Sequence, residues 1–172
     1  MKTIGVGVIG TAFMGKAHSI AYAAAGSVFG DGLRPSLEII CDYNPDRAEV
    51  MRKEMGFARC TSTWMDVVND PKVQLISVCV PNSLHKEISV AALKAGKHVW
   101  CEKPMSTNLA DSEAMFAAAQ ASNAHTILGY NYTQNPAVQS ARKLIDEGII
   151  GRVIGFYGSY DVDNEADPER PY

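Results

Sequence analysis

Thr3-Ile4-Gly5-Val6-Gly7-Val8-Ile9-Gly10-Thr11-Ala12-Phe13-Met14-Gly15 stands at the start of the sequence, and its reading decides the fold. An apolar run, a glycine turn and a helix start, in that order, are what a phosphate-binding βα unit requires. A pattern search for G-x-G-x-x-G finds Gly5, Gly7 and Gly10, but that frame is wrong. Only four residues precede Gly5, and no helix opens at Gly10. The frame Gly10–Gly15 fits: Thr3–Ile9 reads as the strand and Gly15–Ala25 as the helix. Gly10 permits the tight turn, and Gly15 allows the helix to pack closely on the strand. The helix N-terminus then offers N–H donors and its positive end to a pyrophosphate. Thr11, Ala12, Phe13 and Met14 fill the turn and are expected beside the same ligand. Ala12 occupies the place where the fingerprint prefers its second glycine, which adds one methyl near the phosphates. A glycine turn used only for packing is the competing reading.

Outward from this turn, strand-like and helix-like runs alternate. Leu37–Cys41 and Leu75–Val80 are rich in Ile, Val and Leu, and His98–Cys101 and Thr126–Leu128 are shorter. Continuous apolar runs suit strands buried on both faces of a parallel sheet. Helix punctuation lies between them. Asn44-Pro45 gives a cap and a first-turn proline, and Gly56 gives a stop. Ala48, Met51 and Met55 share one face of that helix. Ile88, Ala91, Ala92 and Ala95 repeat at helical spacing before Gly96. Asn108 caps a helix through about Ser122. Asn135-Pro136 starts another, with Val138, Ala141 and Ile145 as its inner face and Gly148 at its end. Arg152–Tyr160 reads as a strand and Asp161–Tyr172 as a polar loop. The fold expected is α/β, a doubly wound parallel sheet complete at its sixth strand, over residues 1–130. Residues 131–172 then hold a junction helix and the first strand of an incomplete α+β domain.

Composition narrows the function. The chain has 172 residues, 47% of them hydrophobic, and carries a formal net charge of −3. That balance argues against a protein held to nucleic acid by charge, and weakly against an anionic membrane surface. The stretch from Ala114 to Ala141 has no Asp, Glu, Lys or Arg, but polar residues interrupt it, so it does not read as a membrane span. The N-terminus runs directly into the first strand, leaving no room for a signal peptide. Cys41, Cys60, Cys79 and Cys101 form no C-x-x-C pair and have no His cluster beside them. They read as reduced core residues, which points to the cytoplasm. No metal site is expected. Asp161, Asp163, Glu165, Asp167 and Glu169 have no accompanying His and read as a solvated loop.

In a doubly wound sheet, ligands lie beyond the carboxyl ends of the strands. The chemistry is therefore expected around residues 10–15, 42, 81–85, 102–104 and 130–132. Asp42 ends the second strand, where a carboxylate can accept both ribose hydroxyls of an adenosine. It would repel a 2′-phosphate, so NAD is favoured over NADP. A turn aspartate ahead of Asn44-Pro45 is the plainer reading of the same residue. The interval from the glycines is longer than usual, and Ser27–Ser36 is expected to absorb the excess as an enlarged loop.

Three further stretches are specific: Pro81-Asn82-Ser83-Leu84-His85, then Ala95-Gly96-Lys97-His98-Val99-Trp100-Cys101-Glu102-Lys103-Pro104, then Gly129-Tyr130-Asn131-Tyr132. Following a Rossmann loop in this order, they resemble the Gfo/Idh/MocA family of sugar and polyol dehydrogenases. Met14–Ser19 and Asn135-Pro136-Ala137 look most like its inositol- and anhydrosugar-dehydrogenase-like members. The resemblance implies a nicotinamide cofactor across the strand ends and a carbohydrate or polyol beside its ring. It makes Lys103 the catalytic lysine of the Glu-Lys-Pro motif and a substrate contact. It places Pro81, Asn82 and His85 along the nicotinamide half, with Glu102 and Asn131, and puts Tyr132 toward the substrate; a local hydrogen-bonder at a helix start is the competing reading of His85. It also implies a homo-oligomer at full length. His18 and His125 are read as structural, and Tyr22, Tyr43 and Trp64 as packing residues.

The residue types suit hydride transfer. As the C–H bond of an alcohol breaks, negative charge gathers on its oxygen, and a positioned ammonium stabilises that charge. Lysine supplies it as a compact point charge. The Lys103–Pro104 peptide is the one bond type where cis is cheap, and it is expected to be cis. Two departures from the family stand out. Thr133 replaces an arginine common after Asn-Tyr, which leaves the substrate open. The family's downstream Asp and His do not appear within the sequence, so these residues are expected to bind dinucleotide without turnover. A non-catalytic nucleotide sensor and a Rossmann reductase acting on amino-acid precursors are the competing functions. An intact Glu102-Lys103-Pro104 favours the dehydrogenase.

Overall fold

The computed structural model describes residues 2–30, 32–159 and 161. Two compact units are present, Met1–Tyr130 and Asn131–Tyr172.

The first unit alternates strand and helix throughout: β1 (Thr3–Ile9), α1 (Phe13–Val28), β2 (Arg34–Cys41), α2 (Pro45–Met55), β3 (Arg59–Thr61), α3 (Trp64–Asn69), β4 (Leu75–Val78), α4 (His85–Lys94), β5 (His98–Cys101), α5 (Leu109–Gln120) and β6 (Thr126–Leu128). The six strands are all parallel and ordered β3-β2-β1-β4-β5-β6. Chain direction across the sheet reverses between β1 and β4, which makes their carboxyl ends the switch point where ligands of doubly wound sheets bind.

The strand interiors are apolar because helices cover both faces. One core joins Ile9, Ile39, Ile76, Val78 and Val99 to Val67, Ile88, Ala92 and Met115 from α3, α4 and α5. The other joins Val6, Val8 and Ile40 to Tyr22 of α1 and Met51 of α2. Each such fully buried aliphatic side chain contributes roughly 1.5–3 kcal/mol. Gly5 and Gly7 lie within β1, away from any turn. The inner face of α2 is met in Ala48 and Met51, both buried. On α4, Ile88 and Ala92 are buried but Ala95 is exposed, and Ser89 and Leu93 take its place in the interior.

Capping follows the sequence closely. The Asn44 side chain accepts from the N–H groups of Asp46 and Arg47, and Gly56 closes α2 in the left-handed region at φ +79°. Asn108 accepts from the Asp111 N–H at the start of α5. Lys97 ties the amino ends of the strands, its Nζ donating to the carbonyls of Asp70 and Val73 at 2.7 Å each.

Several expectations are corrected. α1 extends from Phe13 to Val28 and β2 begins at Arg34, so the loop expected over Ser27–Ser36 is far shorter. Strand β3 and helix α3 carried no apolar run long enough to show. In the second unit, α6 (Pro136–Asp146) is capped by Asn135 as expected. Its expected inner face is not buried: Val138 and Ile145 are 47% and 45% exposed. An amphipathic stripe is buried only where another element packs over it, and the short turn Asn131–Gln134 that contacts α6 leaves the stripe exposed. Arg152–Ser159 forms no strand, because no described strand of that unit pairs with it. The polar loop expected beyond it lies, except for Asp161, outside the described residues.

Candidate functional site at the carboxyl ends of the strands

The first unit gathers residues 10–15, Asp42, Pro81–His85 and Glu102–Pro104 at the same edge of the sheet. Gly10 follows β1 at φ +104°, a conformation L side chains rarely adopt. A Cβ there would also fall 2.2 Å from the Cys79 carbonyl oxygen. A Cβ on Gly15 would fall 2.0 Å from the Gly10 carbonyl oxygen, so α1 can approach the turn only because residue 15 is glycine. Ala12 is the extended N-cap of α1 and makes no side-chain cap. The first-turn N–H groups of α1 thus have no capping side chain at Ala12, the arrangement that can hold an anion. Ala12 and Phe13 are exposed, Met14 is half-buried, and Thr11 is buried.

Beside this turn is a cavity of about 350 Å³ whose walls include Gly10, Thr11, Asp42, Tyr43, Trp64 and Leu84. Its volume is at the lower end of small-molecule sites, roughly 300–1,000 Å³. Asp42 is only 7% exposed. Its Oδ2 accepts from the Thr11 hydroxyl, and its Oδ1 accepts from the Asn44 N–H at 3.0 Å. The turn aspartate and the candidate ribose acceptor are thus the same group. A carboxylate offers about four acceptor positions, so two bonds inside the protein leave capacity for a ligand. Arg47 lines the same cavity.

Pro81 and Asn82 follow β4, are exposed, and begin a single 3₁₀ turn, Asn82–Leu84. Lys103 is exposed beyond β5, and the Lys103–Pro104 peptide is cis. Asn131 and Tyr132 belong to the second unit, where both are exposed in a 3₁₀ turn, Asn131–Gln134.

Glu102 and His85 differ from their neighbours in being buried. His85 has no exposed surface. Its Nδ1 lies 2.9 Å from the Pro104 carbonyl oxygen and its Nε2 2.9 Å from that of Val80. Of the two readings of His85, its burial and its two carbonyl contacts match the local hydrogen-bonder, and no atom is exposed for direct contact with a cofactor. Glu102 is 5% exposed. Its Oε1 lies 2.9 Å from His18 Nε2, and its Oε2 accepts from the Lys103 N–H at 3.3 Å. The chain of contacts continues inward. His18 Nδ1 is 3.0 Å from Ser77 Oγ, which is 2.7 Å from the Tyr22 hydroxyl. Trp100 packs on the His18 ring at a centroid distance of 4.5 Å. A Cβ on Gly129 would fall 2.4 Å from Glu102 Oε1, so the end of β6 is also fitted to that carboxylate.

Sequence reasoning left His18 and Tyr22 outside the site and did not consider Ser77. The signal was there. His18 and Tyr22 are one turn apart on α1, and Ser77 is the one polar residue in Leu75-Ile76-Ser77-Val78. Burial pushes the Tyr22 phenol and the Cys41 thiol each up to about 12. Burial raises the Cys79 thiol further, so neither thiol beside the cavity is a nucleophile near neutral pH. Among the described residues no cluster of His, Cys, Asp or Glu could hold a metal. All four cysteines are free.

The glycine turn without a Cβ clash, an uncapped helix start and a buried carboxylate in an adjoining cavity define a dinucleotide-binding domain. A family model described as "Oxidoreductase family, NAD-binding Rossmann fold" matches residues 4–130. The chain belongs to this family, the Gfo/Idh/MocA oxidoreductases. It is 41% identical over 172 residues to the levoglucosan dehydrogenase of Pseudarthrobacter phenanthrenivorans, covering 99% of this chain and 44% of that protein. It is 29% identical over 147 residues to the myo-inositol 2-dehydrogenase of Thermotoga maritima, covering 86% of this chain and 42% of that protein. A solved levoglucosan dehydrogenase, in complex with NADH and levoglucosan, superposes with a TM-score of 0.85 at 41% identity. The match covers 88% of this chain and 41% of that one. The chain thus spans less than half the length of these relatives.

Proposed function

We propose that this chain is the cofactor-binding portion of an NAD-dependent sugar or polyol dehydrogenase. The observation that carries the reading is the Gly10–Gly15 turn opening α1 beside Asp42, with Lys103 on the other side of the switch point. The pyrophosphate would rest on the N–H groups of the first turn of α1. The adenosine ribose would bond to the remaining acceptor positions of Asp42, and the adenine would enter the cavity walled by Tyr43, Trp64 and Leu84. The other half of the dinucleotide would then cross the ends of β4 and β5, where Pro81, Asn82 and Lys103 are exposed. Asn131 and Tyr132 are proposed for the junction with the substrate.

The cofactor, when bound, supplies the hydride acceptor or donor. The chain's own contribution is charge and placement. The Lys103 ammonium stabilises negative charge on the substrate oxygen as the C–H bond breaks. The substrate is proposed to be a small carbohydrate or polyol, because both named relatives are dehydrogenases of such compounds. The four free cysteines support work in a reducing cytoplasm, and a homo-oligomer is proposed for the full-length enzyme. Nucleic acid and membrane are not proposed as partners.

Titration of the purified chain with NADH, followed by fluorescence, tests the binding claim. Saturable binding is expected. Incubation with NAD and a panel of cyclitols and anhydrosugars is expected to give no appreciable NADH. Loss of positioned acid–base help alone costs about 10²–10⁴ in rate, and the family's downstream Asp and His are not among these residues. Turnover comparable to that of an intact dehydrogenase would contradict the reading.

A further inference from the structure

Two buried imidazoles grip the turn that carries Lys103, one from each face of the sheet. His18 comes from α1, whose side of the sheet also holds Tyr22 and Trp100. It reaches Glu102, the residue before Lys103, at 2.9 Å. His85 comes from α4 on the opposite face and reaches the carbonyl of Pro104, the residue after Lys103, at 2.9 Å. Lys103 itself is exposed, while the residue on its amino side and both rings are buried. We propose that His18 and His85 are positioning residues that fix this turn and thereby shape the nicotinamide end of the cofactor site.

The chemistry of each contact supports a holding role. A carbonyl only accepts, so His85 donates through the nitrogen that carries its N–H, and the buried ring is wedged between the Pro104 and Val80 carbonyls. With its second nitrogen on the Val80 carbonyl, the ring ties the segment after β4 to the turn after β5. These are the two segments that the non-adenosine half of a dinucleotide would cross. His18 is fixed in turn by Ser77 and by the Trp100 ring, and Glu102 passes that constraint to the Lys103 N–H. Neither ring has more than 4% of its surface exposed, so neither acts by touching a ligand. The glycine turn and Asp42 have no part in these contacts, so the adenosine end should not depend on them.

The proposal rests on the reading that this edge of the sheet binds NAD, and the experiment separates the two. NADH and ADP-ribose, which lacks nicotinamide, are titrated calorimetrically into the 172-residue chain and into His18→Leu and His18→Gln. A glutamine amide can donate to Glu102 and accept from Ser77, so it conserves both bonds. His18→Leu is expected to weaken NADH about fivefold or more while ADP-ribose stays within about twofold. His18→Gln is expected to restore NADH to within about twofold of the parent. The parent supplies a measurement that does not depend on a leucine variant folding. Its histidine ring ¹⁵N resonances are assigned from single His→Gln variants. Those of His18 and His85 should move with NADH but not with ADP-ribose, and those of His98 and His125 with neither. Equal loss of both ligands in folded His18→Leu, or no loss of either, would overturn the proposal. So would ring signals of His18 and His85 that respond alike to the two ligands. A parent that binds neither ligand overturns the cofactor reading itself, and this proposal with it.

Discussion

Glu102 Oε1 and His18 Nε2 lie 2.9 Å apart, with the two side chains 7% and 4% exposed. The bond spans 84 positions in sequence, and it connects the helix that starts at the glycine turn to the strand end that carries Lys103. A buried carboxylate stripped of its donor is costly. Replacing His18 with leucine is therefore expected to destabilise the chain by about 3–5 kcal/mol. Glu102→Gln keeps one acceptor oxygen for His18 and gives up the 3.3 Å bond from the Lys103 N–H, but it leaves no unpaired buried charge and should cost less than half as much. Urea unfolding of the three proteins measures both. Equal losses would contradict the assignment of the His18→Leu cost to an unpaired buried charge.

Gly129 is expected to tolerate no side chain. A Cβ there would fall 2.4 Å from Glu102 Oε1 and 2.9 Å from Oε2. Glu102 cannot swing away without giving up His18. Gly129→Ala should cost about 1–3 kcal/mol through overpacking. Gly32→Ala, with nothing within 4 Å of its Cβ, should stay within about 0.5 kcal/mol. Comparable unfolding midpoints for the two variants would contradict this account of Gly129.

The fold was legible because its signals are local. The apolar runs marked β1, β2, β4, β5 and β6, and Asn44, Asn108 and Asn135 marked three helix starts by residues that bond to their own first turn. Strand β3 escaped because Arg59-Cys60-Thr61 is three residues long with no run to see. The site divided along the same line. The positions of the glycine turn, Asp42 and Lys103 at strand ends were readable, since a strand end is a local feature. The assignment of His85 and Glu102 to cofactor contact missed their burial, because that depends on partners 19 and 84 residues away. The face of α6 was misjudged for a related reason: amphipathic spacing says which side would be buried, but not whether anything covers it.

Cofactor preference should turn on Asp42. Its carboxylate is held in place before any ligand arrives, by the Thr11 hydroxyl and the Asn44 N–H. NADH is expected to bind at least about tenfold more tightly than NADPH. Asp42→Ala should weaken NADH and strengthen NADPH, because Arg47 lines the same cavity and can then pair with a 2′-phosphate. Calorimetric titration with each nucleotide gives the four constants. Tighter binding of NADPH by the parent would refute the assignment of Asp42 to the ribose.

Alkaline pH should destabilise the chain through its buried phenol and thiols. Burial raises Tyr22 and Cys41 to about 12 and Cys101 to about 11. A group whose folded value is raised contributes stability that is intact below its unfolded value. Those values are about 8.5 for a thiol and about 10 for a phenol. The contribution is lost as pH climbs through the folded values. Urea midpoints should therefore be level near neutrality and fall progressively above about pH 9. The Cys41 and Cys101 thiols should react with a disulfide reagent in the unfolded chain far faster than in the native one. A midpoint that rises between pH 9 and 11 would contradict their burial as neutral groups.

If the Gly10–Gly15 turn is a dinucleotide site, Gly10→Ala should disable it. Alanine is strained at φ +104°, and its methyl would fall 2.2 Å from the Cys79 carbonyl oxygen, so the turn must open. Calorimetric titration of NADH into the parent and into folded Gly10→Ala is the measurement. One saturable site per chain is expected in the parent, and an affinity at least about tenfold lower in the variant. A parent that does not bind, or a folded variant that binds as the parent does, would contradict it.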